Sequence, residues 1–316
     1  MAGGQERVLR RRIRSVQSTK KITKAMELIA ASRIVKAQQA VAAARPYADA
    51  ITRVIGNLGS AGASSQSSSA LLQPRQEVRT VGFVAIGGDR GLCGGYNTNV
   101  IRMTEASIRK TRAEGLDYRL FCVGKKIEAY FRFRGYDIAA AINGTSDRPT
   151  YEDARRVAAH LIVPFEEGEV DRVELVFTQF LSAGSQKVVQ RRFMPIDADA
   201  VLSTGLPIVA GDAGAGGGGG AAGASGPHAD YEYEPAPGEI LDRLLPRYAE
   251  AKLFSAMLEG SASFFAAQQR AMASASDNAD ELITKLTRLR NRARQDAITT
   301  EIMEIVSGAE ALAPQH

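Results

Sequence analysis

The sequence predicts an α/β fold, with a long antiparallel coiled coil of the N- and C-terminal helices and a Rossmann-like α/β domain containing a mostly parallel sheet. Two observations support this prediction. Residues 5 to about 58 and residues 238–312 have the apolar repeat of long paired helices. Residues 77 to about 196 instead alternate between strand-like and helix-like runs.

The N-terminal segment, residues 1–58, is predicted to form one long helix. It has no glycine between Gly4 and Gly56 and is rich in alanine, which favours a helix. From Ala30 onward, apolar residues recur in alternating steps of four and three, the repeat of a coiled coil. These residues are Ala30, Ile34, Ala37, Val41, Ala44, Ala48, Ile51, Ile55 and Leu58.

Upstream of Ala30 the same repeat turns polar, and apolar residues move to a neighbouring face. The polar positions are Lys20, Thr23 and Glu27, and the displaced apolar residues are Ile22, Met26 and Ile29. Either the apolar stripe drifts around the helix, or this part of the helix faces another protein.

The middle of the chain is predicted to be a linker, residues 59–76, followed by the α/β domain, residues 77–200. The strand-like runs are VRTVGFVAI, YRLFCVG, YDIAAAI, RVELVFTQF and KVVQRRFMPI. Helix-like runs separate the first four, which predicts parallel pairing, and LSAGSQ predicts a hairpin between the last two. Residues 201–237 are rich in glycine and alanine and are predicted to form a flexible loop insert.

The C-terminal segment, residues 238–312, is predicted to form the second long helix. One apolar seam runs through Leu244, Tyr248, Ala251, Ser255, Leu258, Ala262, Phe265, Gln269 and Met272. After SDNAD, a stripe resumes at Leu282, Leu286, Leu289 and Ala293. If the two helices pair antiparallel, the second should outrun the first by roughly 30 Å. Isoleucines on that overhang would require a sheath from another protein.

Two basic runs meet in such a pairing. Residues 7–36 have ten lysines and arginines against the single acid Glu27, and residues 285–294 have five cations and no acid. A charge run is often only a solvated face. Two runs that converge beside an apolar tip favour an acidic partner.

Several function classes are disfavoured by composition. The 316-residue chain has a net charge of +5, three histidines and two cysteines without metal-ligand spacing. No apolar run is long enough to span a bilayer. The glycine-rich stretch GGDRGLCGGYN between a strand and a helix suggests a nucleotide loop, but it has neither phosphate-binding glycine pattern. We therefore expect no catalytic residue, metal or cofactor.

Three motifs, IRSVQSTKKITKAMELIAASR, GDRGLCGGYN and NRARQDAITTEIMEIVSGAEAL, resemble the gamma subunit of F-type ATP synthase in order and spacing. The resemblance implies a central rotor shaft. It would stand inside a hexamer of three alpha and three beta subunits, with its α/β domain beside the epsilon subunit on the ring of c subunits. Proton-driven rotation would then move the beta subunits in turn through ATP synthesis, or ATP hydrolysis would pump protons.

The resemblance also assigns candidate contact residues. Those expected to touch beta subunits and transfer torque are Lys20, Lys21, Lys24, Met26, Asp89, Arg90, Cys93, Arg294, Gln295, Thr299, Glu301 and Glu304. Those expected at the axle tip inside the alpha and beta sleeve are Ile298, Ile302 and Ile305. Met26 has seam packing as its alternative, Asp89 and Arg90 a pairing within the loop, and Cys93 simple packing, which we prefer.

The competing class is a basic coiled-coil nucleic-acid-binding protein. Charge and helices permit it, but the basic runs have no interleaved aromatic residues and the chain has no tryptophan, so we expect no nucleic acid. The family-like sequence begins at the first residues, which leaves no room for a transit peptide. We expect a bacterial complex at the cytoplasmic side of the plasma membrane, with the chain peripheral and membrane-associated only through the complex.

Overall fold

The computed structural model describes residues 2–60, 62–63, 67–196 and 233–312. The chain divides into two compact units, one of residues 1–31 with 268–316 and the other of residues 32–267. We call them the helical unit and the sheet unit. Helix α1 (Ala2–Ser60) and helix α5 (Pro237–Leu312) contribute residues to both. Both predicted long helices are confirmed.

The sheet unit is built on five strands in the order β3-β2-β1-β4-β5. They are β1 (Thr80–Ile86), β2 (Asp117–Val123), β3 (Ile138–Ile142), β4 (Arg172–Phe180) and β5 (Gln186–Met194). Strand β1 pairs in parallel with β2 and β4, β2 pairs in parallel with β3, and β5 pairs antiparallel with β4. The predicted sheet and its terminal hairpin are therefore confirmed.

Three helices cover this sheet: α2 (Tyr96–Ala113), α3 (Lys125–Phe133) and α4 (Tyr151–Glu166). Alternate residues of β1 enter two different cores. Val84 and Ile86 pack with residues of α4 and of the long helices, whereas Phe83 and Ala85 pack with residues of α2 and α3. Both faces of the inner strands are thus buried, which explains why β1 and β4 read as nearly continuous apolar runs.

The predicted Gly/Ala-rich loop insert lies largely outside the described residues, as does the end of the predicted α/β domain. Residues 197–232 are not among those described. The division of the chain at residues 58, 76, 200 and 237 stays a prediction.

The helical unit is an antiparallel pair whose register is set by polar contacts. Lys20 Nζ lies 2.6 Å from Asp280 Oδ1, and Thr23 Oγ1 lies 2.8 Å from Ser276 Oγ. For two residues that face each other, one on α1 and one on α5, the two residue numbers therefore add to about 299. In this register residues 298–312 of α5 extend past the start of α1, by about 22 Å at 1.5 Å per residue. The overhang exists but is shorter than the expected 30 Å, which rested on an assumed register.

The seam of α5 in this unit differs from the prediction. Leu286 and Ala293 are buried, but Leu282 is 41% exposed and Leu289 is 45% exposed. Among the buried and half-buried positions, one continuous seam is formed by Met272, Ser276, Ala279, Ile283, Leu286, Arg290, Ala293 and Ala297. They continue the steps of four and three without a break. The predicted stripe was wrong because small and polar residues occupy several seam positions, while two leucines lie beside the seam.

This corrected seam predicts unequal effects of two similar substitutions. Leu286→Ala should destabilise the helical unit by about 2–4 kcal/mol, because it leaves a cavity at a buried position. Leu289→Ala should cost no more than about 1 kcal/mol, because that side chain is largely solvated already. Thermal unfolding of the full chain, followed by helical circular dichroism, measures both. Equal losses would contradict the seam, and Leu282→Ala is the matched control for an exposed leucine.

Candidate functional site

The sheet unit has a topological switch point at its centre. From β1 the chain continues to β2 on one side, whereas β4 lies on the other side. In open α/β sheets such a point creates a crevice at the carboxyl ends of the two central strands, where ligands usually bind. The loop GGDRGLCGGYN, residues 87–97, follows β1 at this edge. A ligand site would therefore be expected in this crevice.

A turn of α5 occupies this crevice. Tyr96 Oη donates a hydrogen bond to the carbonyl oxygen of Gly260 at 3.0 Å. A Cβ atom on Gly260 would lie 3.3 Å from that hydroxyl and 3.7 Å from Cγ2 of Ile86, the last residue of β1. Phe264 stacks edge-on against Tyr96, with ring centroids 5.6 Å apart, and a Cβ on Gly88 would meet its ring at 3.1 Å. The glycines leave room for a helix and not for a phosphate.

The same turn of α5 is bonded to β4. Ser263 Oγ donates to the carbonyl oxygen of Thr178 at 3.1 Å. The backbone N–H of Phe180 donates to the carboxylate of Glu259 at 3.3 Å. Residues 259–265 of α5 thus contact the ends of both central strands. We call this turn the crevice plug.

Glu259 is a buried carboxyl within the crevice plug, only 2% exposed. Burial raises the pKa of this group to about 7, although the hydrogen bond from Phe180 and the positive charges of Arg191 and Arg45 oppose the rise. The carboxyl therefore titrates near neutral pH.

Asp89, a predicted contact residue, ties three loops together. Its carboxylate accepts hydrogen bonds from the backbone N–H of Lys125 at 2.9 Å and of Gly144 at 3.0 Å, and from Ser146 Oγ at 2.8 Å. Burial opposes ionisation of this carboxyl, but the hydrogen bonds outweigh it and lower the pKa of Asp89. Its oxygens are thus satisfied within the chain.

Arg90 pairs with Asp147 and not with Asp89 as the loop-internal alternative expected. Asp147 also receives Arg33 of α1 at 3.2 Å, and the Arg33 guanidinium lies 5.4 Å from the centre of the Phe265 ring. The glycine-rich loop, α1 and α5 are thereby linked within the sheet unit.

Cys93 is 2% exposed and belongs to a small apolar cluster with residues of both long helices. The cluster contains Ile34, Cys93, Tyr96, Phe264, Phe265 and Ala266. Burial raises the pKa of the Cys93 thiol, so it stays protonated and poorly nucleophilic at neutral pH. Simple packing, the preferred alternative for Cys93, agrees with this geometry. Sequence reasoning missed Gly260, Glu259 and Phe264, since no local pattern connects these residues to strand ends that lie far from them in the sequence.

The helical unit has two unlike flanks. At about 100° per residue, Lys24 lies on the same flank as the Lys20–Asp280 pair, whereas Leu282 lies opposite Asp280 on α5. The apolar flank comprises Val8, Ile22, Met26, Ile29, Leu282 and Leu289, all exposed except the half-buried Met26, and the exposed Arg11 lies in line with Ile29 on it. The basic flank comprises Arg10, Lys20, Lys21, Lys24 and Arg294, of which Lys20 is half-buried and the others exposed, and the exposed Leu28 lies in line with Arg10 on it.

The predicted contact residues near Met26 are therefore separated in space. Lys21 and Lys24 lie just before Met26 in the sequence but on the other flank of the helix pair. Lys20 and Lys24 already have acidic neighbours in the chain, Asp280 and, at 3.0 Å, Glu27.

The end of α5 is exposed throughout residues 298–308. Its apolar side chains include Ile298, 49% exposed, and Ile305, 72% exposed. The predicted polar residues Arg294, Gln295, Thr299, Glu301 and Glu304 are exposed as well. Thr299 Oγ1 donates to the carbonyl oxygen of Gln295 at 3.0 Å. The roles of these residues in contacting a partner stay predictions.

Two further properties concern the described ranges, 2–60, 62–63, 67–196 and 233–312. No helix there is long and apolar enough to cross a membrane. No group of three or more histidine, cysteine or acidic side chains there has the arrangement of a metal site.

The fold thus combines a doubly wound sheet, whose crevice is filled by a turn of α5, with a long antiparallel helix pair. The family model described as ATP synthase matches residues 5–312. The chain belongs to the ATP synthase family. The resemblance of its three motifs is thereby confirmed.

The relatives agree with this assignment. The chain is 48% identical over 314 residues to the ATP synthase gamma chain of Parafrankia sp. (strain EAN1pec), and 98% of each chain is covered. The same figures hold for the ATP synthase gamma chain of Frankia casuarinae. A chain in the cryo-EM structure of the Euglena gracilis mitochondrial ATP synthase rotor matches with a TM-score of 0.62 at 20% identity, over 94% of this chain and 99% of that chain. That match supports the fold alone.

The buried carboxyl of the crevice plug generates a prediction about pH. The folded-state pKa of Glu259, about 7, lies above its ordinary value of 4.5. Its favourable contribution to folding is therefore full below pH 4.5 and is lost as the pH rises to about 7. Glu259→Gln, which stays neutral, should remove a loss on the order of 2–3 kcal/mol between pH 5 and pH 8.

Urea unfolding of the full chain at pH 5, 6, 7 and 8 measures this effect. The control is Glu281→Gln, which removes an exposed carboxylate and should leave the pH dependence unchanged. Parallel pH curves for wild type and Glu259→Gln would contradict the prediction.

Proposed function

We propose that this chain is the central rotor shaft of an F-type ATP synthase. It couples proton-driven rotation of a ring of c subunits to sequential conformational changes of three catalytic beta subunits, and in reverse couples ATP hydrolysis to proton pumping. The names of the relatives, ATP synthase gamma chain and rotor, support this function. Its partners are three alpha subunits, three beta subunits, an epsilon subunit and the ring.

The crevice plug is the observation that best supports a shaft. Gly260 of α5 accepts a hydrogen bond from Tyr96 at the start of α2, and Ser263 donates one to Thr178 of β4. Helix α5 is one helix from Pro237 to Leu312. A torque applied to the sheet therefore acts directly on the helix that continues to the tip. A loosely hinged sheet would absorb rotation instead of transmitting it.

The chain itself is non-catalytic in this proposal, and ATP chemistry belongs to the beta subunits. The place where a doubly wound sheet would bind a nucleotide is occupied by Phe264 and Gly260. The complex lies at the cytoplasmic side of a bacterial plasma membrane, with this chain as a peripheral component. The nucleic-acid-binding alternative has no support from the relatives, and several cations of the basic run are paired within the chain.

Torque passes to the beta subunits through the two flanks and the tip of the helical unit. The basic flank, with Lys21 and Arg294, suits an acidic lever segment of beta. The apolar flank, with Met26, suits an apolar surface. Gln295, Thr299, Glu301 and Glu304 contact a beta loop near the tip, while Ile298, Ile302 and Ile305 turn inside an apolar sleeve. The two unlike flanks would meet each beta subunit in turn.

The rotor function predicts that the chain alone binds no nucleotide. Calorimetric titration of the purified full chain with MgATP should show no binding in the micromolar range, and the chain should hydrolyse no ATP. The same chain should co-purify with three alpha and three beta subunits as an active ATPase, which serves as the positive control. A stoichiometric micromolar complex of the chain with ATP would contradict the rotor function.

Met26 provides a prediction about coupling. Met26→Lys places an ammonium group on the apolar flank. As the shaft turns, the acidic beta lever that meets the basic flank also passes this flank, and it would form an ion pair there worth about 1.5–3 kcal/mol. That pair must break at every step of rotation. The complex should therefore assemble in normal yield, pump fewer protons per ATP hydrolysed and show a higher activation energy. Yield of intact complex and pumping per ATP measure the effect.

Two control variants remove charge instead. Lys24→Ala and Arg294→Ala should weaken assembly or torque transfer without adding a barrier. If Met26 only packs beside the seam, Met26→Lys would lower the yield, while the surviving complex would pump normally. That outcome would contradict the lever contact.

A further inference from the structure

Leu92 of the glycine-rich loop has an unusual backbone. Its φ angle is 61°, the one non-glycine residue with positive φ in the described part of the chain. Leucine rarely adopts this left-handed conformation, which suits glycine, asparagine or aspartate. The side chain is nevertheless 63% exposed. A single exposed leucine is common on protein surfaces, but one held in a strained conformation is not.

The loop holds Leu92 rigidly from both sides. Before it, the Asp89 carboxylate accepts hydrogen bonds from the backbone N–H of Lys125, at the start of α3, and of Gly144, in another loop. After it, Cys93 is buried, and Tyr96 is bonded to α5. The exposed side chain therefore projects from an anchored base, as a contact residue should if little ordering is to occur on binding.

We propose that Leu92 is the partner-contacting residue of this loop, an apolar anchor that inserts into an apolar pocket with an acidic rim on another subunit of the complex. The proposal rests on the proposed rotor function. It moves the contact predicted at Asp89 and Cys93 to the neighbouring side chain that is free to reach a partner.

The charges around Leu92 define the rim of that pocket. Arg90 is paired with Asp147, whereas Lys126 lies beside the loop, since a Cβ on Gly91 would be 3.9 Å from its Cε. Lys125 and Lys126 are both exposed. The nearby carboxylates of Asp89 and Asp147 are already bonded within the chain. An exposed apolar side chain in a loop beside the exposed Lys126 matches an apolar pocket with carboxylates at its rim.

Backbone strain at a functional position has a testable consequence. Leu92→Asn suits the left-handed backbone but removes the apolar anchor. The melting temperature of the full chain should therefore stay the same or rise by about 2 °C. Release of the chain from the purified complex in moderate salt should become about tenfold faster or more, because a buried leucine contact is lost.

Two further variants control the experiment. Leu92→Met keeps an apolar side chain and should release within twofold of wild type. Phe133→Ser removes another exposed apolar side chain, 87% exposed at the end of α3, and should also release like wild type.

Two outcomes would overturn the proposal: release of the Leu92→Asn complex within twofold of wild type, or a marked fall in the melting temperature of the Leu92→Asn chain. Failure of the wild-type chain to assemble with alpha and beta subunits would instead overturn the rotor function, so the two failures are distinguishable.

Discussion

The sheet unit depends on one packing constraint, the seating of the crevice plug, residues 259–265 of α5, against the ends of β1 and β4. Glycine at residue 260 favours this seating, because a Cβ atom there would lie 3.3 Å from the Tyr96 hydroxyl, so a side chain would have to displace Tyr96. The seating also accounts for Gly88 in the loop after β1, where a Cβ atom would meet the Phe264 ring at 3.1 Å. A fold that commonly binds nucleotides at this crevice here uses the same space to hold a helix.

The helical unit depends on a different constraint, the register of two long helices with small and polar residues in their seam. Thr23 and Ser276 face each other within the unit, and such polar layers specify register at some cost in stability. Because the seam takes few large apolar residues, Leu282 and Leu289 remain outside it. The asymmetry between an apolar and a basic flank is a consequence of that arrangement.

Local patterns in the sequence predicted the strands, the hairpin and both long helices, since each has its own period and length. The buried seam of α1 from Ala30 to Leu58 was also readable, because large and small apolar residues repeat there without interruption. The seam of α5 was misread where Ser276, Ala279 and Arg290 replace large apolar residues. The two flanks were missed for the same reason, since Met26 and Lys24 separate in space only once the register is known.

The candidate site shows a deeper limit of sequence reasoning. A glycine-rich loop after a buried strand has room for a close approach by some group, and the sequence alone does not identify that group. Phosphate binding and helix packing both need the space that Gly88 provides next to Phe264. The deciding contacts come from residues far along the chain, such as Ser263 bonded to Thr178. Whether such a loop binds a ligand is therefore decided by what else the fold places over the carboxyl edge of the sheet.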